Sequence, residues 1–315
     1  MKFFLLILLT VFSLSAIADE KPIEIVVPFG PGGAASNYAQ VISEIFNDHG
    51  WPTIVVNKPG ADAVLGGNYA AKAKPDGRTL FLGTTSSLSA NPVVMPPGIE
   101  YNKNSFAPIV PIAQLSMVLA VPATSPINNY QQFKFYVRTN PEKFNIGVFN
   151  ANLAGIFNAW AQKEGLPHPT TIPYKGSNQV VTDLAGGNLP FAFDTFSAPL
   201  LPLVKAGKIK IIATLDSASL VEAGNLNTRE KVINISSIHP DLEFGVWYGL
   251  FAPAGTPQST INEMNRLINR VMQTPKYREK MQSMDIKYIG GTPESLKALQ
   301  NRDLQTLSRF PKESK

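Results

Sequence analysis

Apolar residues along the chain fall into two recurring patterns, short β-branched runs and longer stretches with a helical period. Ile23-Glu24-Ile25-Val26-Val27, bounded by Pro22 and Pro28, predicts a buried strand. The glycine turn Gly30-Pro31-Gly32-Gly33 follows. A helix then starts near Ser36, with Tyr38, Val41, Ile42, Ile45 and Phe46 on one face at 3.6-residue spacing. Residues 53–56 predict a second strand, 65–73 a helix of small residues, and Pro75-Asp76-Gly77 a turn into a third strand at 79–82. Strand–helix–strand–helix–strand with short links predicts a parallel sheet covered on both faces.

The alternation restarts after residue 113, with strands expected at 117–121, 144–148, 170–172, 191–193 and 209–213. A last strand at 247–252 leads through Pro253-Ala254-Gly255-Thr256-Pro257 into a long helix. Its Ile261, Met264, Leu267, Ile268, Val271 and Met272 form a core-facing stripe. Two α/β units predict two lobes with a ligand cleft between them. In parallel sheets the loops after the strands face that crevice, so the segments of interest are 28–36, 83–87, 148–152, 173–177 and 194–198.

The amino terminus adds an address. Lys2, the apolar run from Phe3 to Leu9 and the small-x-small Ala16-Ile17-Ala18 form a secretory leader, expected to be cut after Ala18. Polar Thr10, Ser13 and Ser15 leave it short of the ~20 apolar residues of a spanning helix. The mature protein is expected to start at Asp19, soluble in a periplasm, with no cysteine after the cut to carry a lipid. An exported address disfavours chemistry dependent on ATP or NAD.

Composition then removes function classes. Charged residues are 16% and hydrophobic ones 44%, which excludes a charged disordered chain. The net charge of +5 is spread without a basic run, so no nucleic-acid partner is expected. No cysteine is present, which excludes disulfides, cysteine-ligated zinc, iron–sulfur clusters and thiol catalysis. His49, His168 and His239 lack ligand spacing and are read as surface or loop residues. No nucleophile elbow or metalloprotease motif occurs, so no catalytic residue, metal or cofactor is expected.

The segment from Pro28 to Ser36 carries the strongest local signal. Gly30-Pro31-Gly32-Gly33-Ala34-Ala35 satisfies G-x-G-x-x-A, yet the second strand ends in Val56-Asn57, without the acid that a dinucleotide ribose requires. What remains is the physics of the loop. Glycines free the backbone, and amides at a helix start attract a small anion such as a carboxylate. The bland alternative is a tight turn with Ser36 as the helix N-cap. Gly33→Val is expected to crowd an approaching ligand and to force an unfavourable backbone angle. Phe29, Phe149, Phe196 and Trp247 either line a pocket for aromatic acids or, more simply, pack into the core.

Taken together, 25–33, Asn57-Lys58-Pro59-Gly60-Ala61, Pro75-Asp76-Gly77-Arg78-Thr79-Leu80, Phe106-Ala107-Pro108-Ile109, Pro173-Tyr174-Lys175-Gly176, Gly186-Gly187, Phe193-Asp194, Ala206-Gly207-Lys208-Ile209 and 250–257 stand in family order. In that order and spacing the chain resembles Bug-type receptors, the periplasmic solute-binding proteins of tripartite tricarboxylate transporters. The resemblance implies a type II periplasmic-binding-protein fold of two α/β lobes, lobe 1 at 19–113 and 241–315 and lobe 2 at 114–240. It further implies capture of a small organic carboxylate by lobe closure and delivery to the membrane subunits of such a transporter. A carboxylate sensor feeding a signalling partner is the alternative, and the protein is expected to act as a monomer. Carried over residue by residue, the resemblance points to Phe29, Gly32, Gly33, Ala34 and Ser36, to Thr85, Ser86 and Ser87, and to Asn150, Lys175, Gly176 and Asp194. The chain departs from the family pattern at Ser36, usually Asp, at Gln40, usually Arg, and in its short loop at 148–152.

Overall fold

A computed structural model describes residues 21–148, 151–174, 176–196, 199–215, 232–243, 245–283 and 287–308. The leader and Phe149, Asn150 and Lys175 lie outside the described residues.

The first α/β unit is built as its pattern predicts: β1 (Ile23–Val27), α1 (Ala34–Asp48), β2 (Thr53–Asn57), α2 (Val64–Ala71) and β3 (Thr79–Thr84). β1 pairs in parallel with β2 on one side and β3 on the other. Beyond β3 the sheet stops being parallel. β10 (Gly245–Pro253) lies antiparallel between β3 and β4 (Phe106–Pro122). The three strands of the first unit are parallel as expected, and the antiparallel neighbour is the later strand β10, which enters this sheet from the opposite direction.

A correction concerns β4. The pattern places a strand at 117–121, whereas β4 begins at Phe106 and runs 17 residues. Pro108 and Pro111 hide its first half, since proline cannot donate to a sheet ladder. Both stand opposite register shifts in β10, between Leu250 and Phe251 and between Tyr248 and Gly249, so the irregularity absorbs them. Up to Ser116 β4 pairs with β10, and from Met117 it pairs with β7 (Phe191–Thr195) and β8 (Ile209–Thr214). One continuous strand thus belongs to both halves of the molecule, and residue 113 lies inside it.

The second unit comprises α4 (Tyr130–Thr139), β5 (Asn145–Val148), α5 (Ala151–Lys163), β6 (Thr170–Pro173), α6 (Ser177–Ala185), β7, α7 (Leu201–Lys205), β8 and the short β9 (Ile233–Asn234). A π-helical turn, Ser86–Ala90, and the short helix α3 (Asn91–Val94) follow β3. After β10 come α8 (Gln258–Met272), α9 (Pro275–Ser283) and α10 (Pro293–Ser308).

Each half buries its own core on both faces of its sheet. In the first, β1 and β3 pack through Ile25, Val27, Leu80 and Leu82 on α1 and α8, while Phe81, Phe106, Trp247 and Phe251 pack on the other side with Leu296. In the second, Phe133, Phe144, Phe157, Trp160, Phe191 and Phe193 form an aromatic cluster, and α6 and α7 cover the opposite face. Burying aromatic side chains at this density is the main favourable term in such a lobe. Helix α10 touches both cores: Leu296 joins the first and Leu307 the second. It is fastened midway, where the Trp247 indole donates to the Asp303 carboxylate at 2.6 Å. Trp247 is therefore a core residue, as the simpler sequence reading holds.

His168 is exposed, and His49 bonds its own helix at the Ile45 carbonyl, 2.7 Å away. His239 departs from the bland expectation, since it is half-buried with its ring 2.7 Å from the Glu164 carboxylate. Among the described residues no helix is long and apolar enough to cross a membrane.

Candidate functional site

Parallel strands bring their carboxyl ends, and the loops that leave them, to one edge of each sheet. In the first half that edge holds the 28–36 loop after β1, Asn57 at the end of β2, and residues 84–87 after β3. In the second it holds Gly176 and Ser177 after β6, and Asp194 and Thr195 at the end of β7.

The 28–36 loop departs from the local expectation in one respect. Helix α1 begins at Ala34 with Gly33 as its N-cap, and no side chain caps it. Ser36 is therefore not the cap but lies in the first turn. An α-helix leaves its first amides without an intrahelical partner, so those of Ala34, Ala35 and Ser36 carry the positive end of the dipole. Gly30 to Gly33 are exposed and Phe29 is half-buried against the first core. Gly32 has φ +83°, the left-handed region that favours glycine. Gly33 has φ −85°, and a Cβ there meets open space, so the expected backbone restriction belongs to Gly32.

The Ser36 side chain turns inward. It is 5% exposed, donates to the Gly30 carbonyl at 3.2 Å and accepts from the Asn57 amide at 2.7 Å. The same Asn57 nitrogen donates to the Phe29 carbonyl at 2.8 Å. In the sequence Asn57 stood out as a missing acid and as the start of one resembling segment, not as a site residue; the available signal was a polar residue closing an otherwise β-branched strand.

At the end of β3 the hydroxyls serve the fold. Thr85 Oγ1 accepts from the Trp247 amide at 2.9 Å and donates to the Gly245 carbonyl at 3.3 Å, tying this turn to β10. Ser87 Oγ accepts from the Thr84 amide at 2.9 Å and is fully buried. Ser86, half-buried, stands between them.

In the second half Gly176 is the N-cap of α6, again without a side-chain cap. The next residue, Ser177, donates to Asp194 Oδ2 at 2.8 Å, and the Thr195 amide donates to Oδ1 at 2.6 Å. The Asp194 carboxyl is fully buried, and burial pushes it up to about 6 against the pull of those hydrogen bonds. Gly176 and Asp194 are thus brought together through Ser177, which sequence reasoning did not single out. Asn150 and Lys175 lie outside the described residues.

Two tyrosines of the first half meet beside this edge. Tyr38, one turn into α1, meets Tyr248 of β10 edge-on with ring centroids 4.7 Å apart. Burial pushes the Tyr248 phenol up to about 12, and the Asp194 carboxylate adds to the rise. The acid at the end of β7 therefore acts on a ring that also touches the helix leaving the glycine loop. Among the described residues no cluster of three or more histidine, aspartate or glutamate side chains is arranged to hold a metal.

Known proteins share the family pattern and the fold. The model of the tripartite tricarboxylate transporter family receptor matches residues 38–309. A protein from the tcbD–tcbE intergenic region of Pseudomonas sp. strain P51 is 30% identical over 283 residues, 88% of this chain and 81% of the relative. Protein BugT of Bordetella pertussis is 25% identical over 90% of this chain and 86% of its own. Among solved structures, one described as a periplasmic transporter is 27% identical, with a TM-score of 0.75 over 92% of this chain and 96% of its own. A protein of R. palustris solved with adipate superposes with a TM-score of 0.76 at 22% identity, over 93% of this chain and 99% of its own. Another from Rhodopseudomonas palustris, MatC with bound malate, gives 0.72 at 22% identity, over 92% and 98%.

Proposed function

The chain belongs to the tripartite tricarboxylate transporter receptor family, and from that premise we propose that it captures a small organic carboxylate by lobe closure and delivers it to the transporter's membrane subunits. Relatives in this family are periplasmic solute-binding receptors, and the two-lobed α/β fold is theirs. The observation that carries the reading is a pair of helix starts, α1 and α6, each capped by glycine and neither closed by a side chain. Helix-start amides with the dipole behind them fit a carboxylate. In this reading Phe29, Gly32, Gly33, Ala34 and Ser36 hold one carboxylate through the backbone. Ser86, Asn150, Lys175 and Gly176 complete the enclosure, with Thr85, Ser87 and Asp194 buried behind it as its supports. The lobes exchange chain within β4, near Ser116, where its partners change.

No bond is made or broken; the work is a ligand-driven shift of population toward the closed state. The leader is removed after Ala18, and the protein acts as a monomer in the periplasm without metal or nucleotide.

A thermal-shift screen of mono-, di-, tri- and aromatic carboxylates, malate and adipate among them, tests the reading. An acid present at 100 times its dissociation constant adds ~2.7 kcal/mol to stability. A flat response across the panel, or affinity abolished by chelation and restored by a divalent ion, overturns it. Lys175→Met separates two anchoring schemes, because an amide cradle survives the loss of that cation and a side-chain anchor does not. N-terminal sequencing of the exported protein reads the cut at Asp19 directly.

A further inference from the structure

Both ends of the glycine loop hang on one side chain from another strand. Asn57 closes β2, where parallel pairing sets Val27 against it, and the Lys58 amide donates to the Val27 carbonyl at 2.8 Å. The Asn57 backbone is thereby fixed beside the point at which β1 releases the loop. Its amide nitrogen donates to the Phe29 carbonyl at 2.8 Å and to Ser36 Oγ at 2.7 Å, one partner at each end of the loop. Ser36 passes the restraint inward by donating to the Gly30 carbonyl at 3.2 Å.

We infer that Asn57 is the positioning residue of this loop: it sets the aim of the loop amides, and so the affinity for an anion, without touching that anion. The inference rests on the carboxylate reading above. In a trans peptide the carbonyl and the following N–H point in opposite directions. Holding the Phe29 carbonyl toward Asn57 therefore turns the Gly30 N–H away from it. Holding Ser36 Oγ inward fixes the first turn of α1, whose amides are unpaired by geometry. The position requires two donors, because the Phe29 carbonyl only accepts and the Ser36 hydroxyl already spends its proton on Gly30. An aspartate of the same shape would set a carboxylate against the Phe29 carbonyl oxygen. Ser36 is the matching half: its hydroxyl accepts from Asn57 and donates onward in one step.

The test compares Asn57→Ala and Asn57→Asp with the unchanged protein. Three quantities are read: ¹⁵N order parameters of residues 29–36 without ligand, dissociation constants for malate and adipate by calorimetry, and the thermal midpoint. Asn57→Ala is expected to drop the loop order parameters from ~0.85 to below ~0.6 while the rest of the lobe keeps its values. It should weaken binding of whichever acid binds by tenfold or more. Asn57→Asp should loosen the loop equally at pH 7 and regain part of its order near pH 4, where an ordinary carboxyl is about half protonated and can donate one of the two bonds. Asn57→Ala, which cannot recover, is the control at both pH values, and a merely structural role predicts no such recovery. Unchanged loop order in both variants overturns the inference, as does a loosened loop that binds as tightly as before. If the unchanged protein binds neither acid, the affinity half falls with the carboxylate reading, while the order parameters still decide whether Asn57 locks the loop.

Discussion

The two halves present the same feature, a glycine-capped helix start beside the carboxyl end of a strand, and fasten it with different chemistry. In the first half the fastening is neutral: an asparagine amide, a serine hydroxyl and two backbone carbonyls. In the second it is an ionisable acid, Asp194, holding Ser177 at the first position of α6. A neutral lock keeps one strength across pH. A buried carboxyl does not, because burial disfavours its charged form while its three donors favour it. The difference teaches that one side of the crevice is set by shape and the other by charge.

The largest effect that sharpens this contrast is on the pH dependence of stability. The folded-state value of Asp194 is raised to about 6, above its ordinary value of 3.8. Between the two the folded protein binds the proton more tightly than the unfolded chain. The stabilisation is thus complete below about pH 4 and is lost as pH rises through 6. A shift of that size corresponds to about 3 kcal/mol. Asp303, pushed up to about 7 by burial, adds a second loss that starts from the same pH and runs on to about 7. Urea denaturation from pH 4 to 8 should show stability falling, and Asp194→Asn should make the fall shallower up to about pH 6 and leave the part above it. The Asn57 variants should keep it whole. An unchanged profile in Asp194→Asn would show that the second fastening is as insensitive to pH as the first.

Next in size is a change behind the neutral lock. A Cβ on Gly66 of α2 would lie 2.9 Å from Pro28 Cα and 3.0 Å from the Lys58 carbonyl oxygen. Both are backbone atoms, one at the start of the loop and one just past Asn57, so neither can swing aside. Overpacking of this kind costs about 1–3 kcal/mol, against which the better helix propensity of alanine returns about 1. Because the obstruction is backbone, the upper end applies, and Gly66→Ala should lose about 2 kcal/mol. Its order parameters should fall at 28–36 and not at 176–185. A neutral or stabilised variant would mean that α2 does not press on the base of the loop.

The contrast also explains what the sequence disclosed. Strands β1, β2 and β3 were legible as short β-branched and apolar runs, and helices α1 and α8 because burial on one face writes a period into the residues. Helix α8 shows it in full, from Ile261 to Met272. The first half of β4 was not legible, since Pro108 and Pro111 read as breaks until the irregular pairing with β10 is known. The glycine loop was legible as a turn into a helix start, but its fastening was not. Asn57 lies 21 residues from Ser36, and Ser177 lies 17 from Asp194. No periodicity records a hydrogen bond between two strand ends, because only the sheet register brings them together. For the same reason Thr85 and Ser87 read as a hydroxyl-rich ligand turn, whereas the fold spends their hydroxyls on β10 and Thr84.

The smallest effects separate two neighbouring glycines within the first fastening. Gly32 has φ +83°, where a side chain meets the following carbonyl, and Gly32→Ala should cost about 1–2 kcal/mol. Gly33 has φ −85°, and its Cβ would meet nothing within 4 Å, so backbone strain is absent there. What Gly33→Val does lose is a favourable N-cap, a term of up to ~1 kcal/mol. The order is thus set by conformation at Gly32 and by capping at Gly33. Affinity should run the other way. A valine at 33 projects into the open space beside the first-turn amides, so binding of a carboxylate should fall more than tenfold, over 1.4 kcal/mol. The Gly32→Ala protein, once folded, keeps that space clear and should lose less. Denaturation midpoints and calorimetric titration of the two variants give both orders. Equal losses of stability at 32 and 33 would mean that backbone conformation does not separate the two, and tight binding retained in Gly33→Val would mean that the loop does not hold the anion by its backbone.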